Sequence, residues 1–143
     1  ISFMILPPEL TEAYQKKAEF YNQTASKAEQ IALCQFIRDG HLASQTRRLK
    51  RLYSVKMKQL QAAVRDVFGE NCHVRIGSAG TSLALTVACG CEGQILKKKA
   101  RAKGLRLEIL EEKPGTVTLL LSCSAMPSED FLPACRLLKS LLD

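Results

Sequence analysis

The sequence predicts an α+β domain: a mainly antiparallel sheet with its helices packed on one face. Three observations lead there. Between Pro8 and Gly69 the apolar side chains recur at three- and four-residue steps, the period of helices. From Cys72 onward the texture turns to short β-branched or alternating runs. Those runs fall into two consecutive pairs around one stretch of helical period, an arrangement that favours antiparallel pairing with helices to one side.

Each element has its own justification. "ISFMIL" is a continuous apolar run closed by Pro7 and Pro8, and reads as a short buried strand. Leu10, Tyr14, Ala18 and Tyr21 then stand at helical spacing, and Pro8 suits the first turn, where its missing N–H has no partner to lose. "TASKAEQIALCQFIRDG" is a second helix. Ser26 and Glu29 make a capping box, Ala32, Leu33, Phe36 and Ile37 the apolar face, and Gly40 the stop.

The third helix is long, about 24 residues and so about 36 Å. Leu42, Leu49, Tyr53, Met57, Leu60, Val64 and Val67 form its apolar stripe, with Leu49 to Val64 expected as the inner seam against the sheet. Arg47, Arg51, Lys58 and Arg65 fall on the solvated side, and Gly69 ends the helix. "CHVRIG" and "TSLALTVA" are strands joined by the tight turn "GSAGTS". "EGQILKKKARAKG" is a short basic helix stopped at Gly104. "LRLEIL" alternates as a half-exposed strand should, "TVTLLLSCSA" is a more buried one, and "PSEDFLPACRLLKSLLD" closes as a helix.

The chain of 143 residues is one domain's worth, 1–143, large enough to bury a core without staples. Its formal charge of +7 favours acidic partners but says nothing of fold. No apolar run reaches the length of a membrane span, and the opening lacks the basic region and cleavage site of a signal peptide. It opens abruptly on an apparent strand without an initiator Met, so a piece of a longer protein is expected. The six cysteines contain no CxxC pair and read as reduced, structural thiols of a cytoplasmic protein, with no metal site.

Catalytic signatures are missing: no P-loop, dinucleotide glycine fingerprint, HExxH or nucleophile elbow is present. "GSAGTS" offers N–H groups and hydroxyls for a phosphate, but a strand follows it, so the helix dipole that completes such sites is lacking. His41 and His73 have no nucleophile or carboxylate at a telling spacing. The basic stretch 40–60 reads mostly as a solvated helix face, and the second basic cluster, 97–104, as an exposed helix face with neither the aromatic interleaving nor the helix-turn-helix context of a nucleic-acid surface.

Taken in order, "ILPPEL", "EQIALCQFIRDGHLASQTRRLKRLYSVKMKQL", "GTSLALTV" and "LLLSCSAMPSEDFLPACRLLKSLL" resemble the C-terminal part of the MocR-type regulators of the GntR superfamily. In that family a winged helix-turn-helix is fused to a domain resembling fold-type I, PLP-dependent aminotransferases. The resemblance covers essentially the whole chain, and its most specific part is Glu29–Leu60, with Gln30, Gly40–His41–Leu42, Arg47–Arg48, Arg51 and Leu52–Tyr53. True aminotransferases share the layout more loosely.

The resemblance implies that this chain is the small subdomain with its connecting helices, closing one side of an effector cleft. It places the Schiff-base lysine upstream of Ile1, so PLP is expected in the full-length parent and not on this fragment. It implies Arg106, Ser122 and Ser124 as effector contacts, and Arg48 or Arg51 as a structural ion pair. Expected partners are the large aminotransferase-like domain, the winged helix (which alone would meet DNA), a small-molecule effector, and a second copy in a homodimer.

Two departures matter. Gly80–Thr81–Ser82–Leu83 stands where the family has a histidine-bearing strand entry. Leu120 stands where aminotransferases carry the arginine that grips the substrate carboxylate, and a leucine cannot make a bidentate clamp. The expected function is therefore effector sensing without catalysis. The alternatives are the small domain of an aminotransferase, with Arg106 as a substitute arginine, and a stand-alone ligand- or protein-binding module.

Overall fold

A computed structural model describes residues 4–18, 25–124 and 126–142. Their helices are α1 (Pro8–Lys17), α2 (Lys27–Arg38), α3 (His41–Phe68), α4 (Gly93–Ala102) and α5 (Phe131–Leu142), the last preceded by a 3-10 turn at Ser128–Asp130. The strands are β1 (Cys72–Ile76), β2 (Ser82–Ala88), β3 (Glu108–Lys113) and β4 (Thr116–Ser122). The chain divides into two compact units, Ile1–Arg47 and Arg48–Asp143, and α3 contributes to both.

In the first unit, Pro8 opens α1 and Ser26 stands at the N-cap of α2, as their residue types predict, although the Ser26 side chain makes no capping bond. Gly40 takes a positive φ of 75° and stops α2, its N–H donating to the Ile37 carbonyl. The expected buried strand is not formed by Met4–Leu6, and Ile5 is 85% exposed; Ile1–Phe3, its first half, lie outside the described residues. A strand needs an edge to pair with, and an apolar run alone does not supply one. Tyr21, expected on the first helix, also lies outside the described residues. Neither α1 nor α2 has a buried residue.

The second unit is a four-stranded antiparallel sheet in the order β1-β2-β4-β3. Alternation decides its faces. Leu83, Leu85 and Val87 of β2 and Val117 and Leu119 of β4 point to one side, where they join buried residues of α3, α4 and α5 in a single core. Full burial of each such side chain is worth about 1.5–3 kcal/mol. On the other face Thr86 and Thr118, cross-strand partners, share a 2.9 Å hydroxyl hydrogen bond.

The helices reach this core at their own period. Met57, Leu60, Val64 and Val67 of α3 are buried, as are Leu96 and Ala100 of α4 and Phe131, Cys135, Leu138 and Leu142 of α5. Two lysines tie α3 to the C-terminal segment: Lys139 Nζ donates to the Val67 carbonyl at 2.7 Å, and Lys56 Nζ to the Met126 carbonyl at 2.8 Å. The first satisfies one of the carbonyls that the end of α3 leaves without an intrahelical partner.

Two expectations need correction. Leu49 is 40% exposed and belongs to no seam against the sheet. At 28 residues α3 is about 42 Å long, whereas the longest strands, of seven residues, span about 23 Å. Only the C-terminal half of α3 can lie along them. The strand read at Leu105–Leu110 begins later, at Glu108. Gly104 donates to the Arg101 carbonyl and Leu105 to the Ala100 carbonyl, the paired bonds that terminate a helix, so Leu105 is spent on ending α4.

Candidate functional site

Where β3 begins and β4 ends, the second unit opens into a cleft of about 350 Å³. Its floor is built from three elements: Leu60 of α3, Leu121 of β4, and Phe131 and Leu138 of α5. Its rim is polar, with Lys97 from α4, Arg106 from the lead into β3, Glu108 from its first position, and Ser122 from β4. An apolar pocket with a few convergent polar groups is the usual form of a small-molecule site.

Arg106 and Ser122, two of the residues expected as effector contacts, line this cleft together. Arg106 is exposed and takes part in no ion pair among the described residues, so its guanidinium is uncommitted. Ser122 Oγ lies 3.4 Å from the Thr81 carbonyl, to which it donates, and 2.8 Å from Ser124 Oγ. Ser124 is exposed and touches the site only through Ser122. Leu120 also lines the cleft, directly across from Glu108 in the strand register. The two are thus cross-strand neighbours, an apolar group beside a carboxylate.

Lys97, Glu108 and the floor residues were not among the sequence-derived candidates. Lys97 follows the buried Leu96 in α4, and that helical phase is the only sequence signal separating it from the neighbouring lysines. Arg48 and Arg51 are both exposed, and neither pairs with a carboxylate among the described residues. His41 packs its ring against Phe36, centroids 5.4 Å apart, and His73 is exposed on β1. No group of three or more potential ligands able to hold a metal occurs among the described residues. No helix among them is long and apolar enough to cross a membrane.

Cys135 forms part of the cleft wall, and burial pushes its thiol from the ordinary 9.0 up to about 11. It is therefore a protonated wall group at neutral pH and not a nucleophile. The shift has a consequence for stability. A folded-state value above the unfolded one means that the native chain holds its proton more tightly, so the stabilisation is complete below pH 9 and is lost as pH rises toward 11. Cys135→Val is expected to flatten that part of the decline, measured as the difference between wild-type and variant urea midpoints at pH 8 and at successive steps up to pH 11. Parallel declines would show that Cys135 titrates as it does in the unfolded chain.

Two helix starts in the second unit are not free to take a phosphate. The first N–H of α4, on Gly93, is taken by Glu112 Oε1 at 2.8 Å, and Glu129 and Asp130 crowd the turn before α5 with negative charge. Lys56 and Lys139 are committed to backbone carbonyls.

No family model matches the chain. It is similar over 98% of its length to two uncharacterized HTH-type transcriptional regulators of Bacillus subtilis, YdeL at 27% identity and YhdI at 28%, and covers 31% of each. The probable rhizopine catabolism regulatory protein MocR of Rhizobium meliloti is 26% identical over 79% of the chain, which covers 23% of it. The chain thus spans less than a third of the length of these relatives.

Among solved structures, the α-aminoadipate aminotransferase LysN of Thermus thermophilus, complexed with N-(5'-phosphopyridoxyl)-L-leucine, superposes on 96% of the chain. The TM-score is 0.69 at 16% identity, over 36% of the enzyme. The multiple substrate aminotransferase of Thermococcus profundus matches 75% of the chain, with a TM-score of 0.60 at 17% identity, over 28% of that enzyme. The chain is thus similar in sequence to part of HTH-type transcriptional regulators, MocR among them, and shares its fold with part of the aminotransferases.

Proposed function

We propose that residues 1–143 act as the effector-sensing small subdomain of a PLP-dependent-type transcriptional regulator and carry no catalysis of their own. The cleft supports this reading: Arg106 and Ser122 both line it together with an apolar floor, and the resemblance puts Leu120, not an arginine, at the substrate-clamp position of aminotransferases. The ligand class is a small molecule with one anionic group for Arg106, a hydroxyl or amine for Ser122 and Ser124, and an apolar body for the floor. In the parent, PLP and the lysine holding it belong to the large domain, DNA is met by the winged helix, and the assembly is a cytoplasmic homodimer. A ligand would act by binding two arrangements of the parent unequally, since only differential affinity shifts an equilibrium.

The test uses the full-length parent loaded with PLP. Amino acids and amines are titrated while cofactor absorbance, DNA affinity and product are followed. The regulatory reading expects a change in DNA affinity without sustained turnover, and an Arg106→Ala variant whose response needs about tenfold more ligand, the value of one charged hydrogen bond. Steady conversion of an amino acid in the presence of a 2-oxo acid acceptor would overturn it.

That outcome would favour a second reading, the small domain of an aminotransferase. One observation speaks for it: Arg106 lies in the same cleft as Leu120 and could hold a carboxylate from the other side.

The arginines of α3 offer a separate check. In the intact parent, Arg51→Ala is expected to cost more than the roughly 0–1 kcal/mol of an exposed ion pair, because its partner there is a carboxylate of the large domain. Lys58→Ala should cost almost nothing, and in the chain alone the two should be equally silent. Thermal melts of both proteins decide it; equal, negligible effects in the parent would make the whole basic face of α3 solvated surface.

A further inference from the structure

Outside the cleft, the link between β2 and α4 brings two thiols together. In a continuing strand, residues two apart would project on the same side but remain separated along the chain. Here β2 ends at Ala88 and the chain bends at Gly90 and Cys91, which brings Cys89 Sγ to 3.9 Å from Cys91 Sγ. Cys89 Sγ also donates to the Cys91 carbonyl at 3.0 Å. Both thiols are half-buried and line an open groove of about 360 Å³ that also contains Glu112 and the β3–β4 turn at Pro114–Gly115. Cys34 is exposed and Cys72 half-buried, each without a second thiol bonded to it among the described residues, whereas Cys123 and Cys135 are buried.

We propose that Cys89 and Cys91 are a dithiol that exchanges with low-molecular-weight disulfides to close a disulfide within the β2–α4 link. The sulfurs have to approach from 3.9 Å to about 2.05 Å, a movement that side-chain rotation on either side of Gly90 supplies. Burial raises the Cys89 thiol above its ordinary value, and its hydrogen is held by the Cys91 carbonyl, so the first attack falls to Cys91. The Cys91 thiolate attacks one sulfur of the incoming disulfide and expels the other half as a thiol. Cys89 then gives up its proton, attacks the Cys91 sulfur of the mixed disulfide and expels the second thiol. The protein loses two hydrogens, and one small disulfide is reduced to two thiols.

The experiment exposes the fully reduced chain to glutathione disulfide, quenches with acid, alkylates after denaturation and maps the peptides by mass. The expected result is that the peptide bearing Cys89 and Cys91 loses two hydrogens and takes up no alkylating group, and that dithiothreitol restores both thiols. Cys89→Ser is expected to stop at a glutathione adduct on Cys91, whereas Cys91→Ser leaves Cys89 slow to react. Alkylation of both thiols in the wild-type chain, or separate glutathione adducts on each, would overturn the proposal. An equally fast adduct on Cys89 in Cys91→Ser would overturn the order of attack.

Discussion

Phe131→Ala is expected to lower the unfolding free energy by about 3–5 kcal/mol, a loss on the order of 10 °C in Tm for a chain of this size. Phe131 is 1% exposed and is the largest of the fully buried side chains. It is the first residue of α5 and fills the core beneath the cleft floor. Lys56 Nζ lies 5.9 Å from its ring centroid while donating to the Met126 carbonyl, so the ring also carries a cation above its face. Truncation removes the packing, that contact and part of the cleft floor together. Phe131→Leu should retain most of the stability, because it keeps an apolar side chain of similar reach. Urea melts with an unchanged slope would report the loss cleanly. A cost under about 1 kcal/mol for the alanine variant would mean that the start of α5 packs elsewhere.

How far the molecule was legible in its sequence depends on how local each signal is. The alternation of Leu83, Leu85 and Val87, the phase of Met57 to Val67, and the stops at Gly40, Gly69 and Gly104 are local, and each was readable. Leu49 shares the phase of Met57 but not its burial, since periodicity identifies a face without saying where its cover ends. The same reasoning applies to the apolar run at Met4–Leu6, which forms no strand.

The cleft was harder to see. Arg106 and Ser122 came from the resemblance, whereas the floor joins Leu60, Leu121 and Phe131, which lie far apart in the chain and look like any other core residues. Likewise, the approach of Cys89 to Cys91 depends on a bend that spacing alone does not disclose.

Leu119 and Leu120 are neighbours on β4 with opposite fates, and their substitutions are expected to differ accordingly. Leu119 is fully buried at the centre of the sheet, opposite Leu85 on β2 and Ile109 on β3. Leu119→Ala should cost about 2–5 kcal/mol, because side chains fixed on two strands and the helices above them cannot collapse into the space. Leu120 is half-buried on the face opposite Leu119, beside Ala84 and Glu108, and its truncation should cost under about 1.5 kcal/mol. Leu120→Arg should therefore fold. It would set a guanidinium beside the Glu108 carboxylate on the face of β4 that Ser122 shares, at the position where the resemblance puts the arginine of aminotransferases. In the parent, that variant is expected to bind amino-acid carboxylates more tightly than the wild type while melting at nearly the same temperature. A large destabilisation by Leu120→Arg, comparable with Leu119→Ala, would show that this edge of the cleft is core. Unchanged carboxylate affinity in a stable variant would show that ligands do not approach β4 from the side of Leu120.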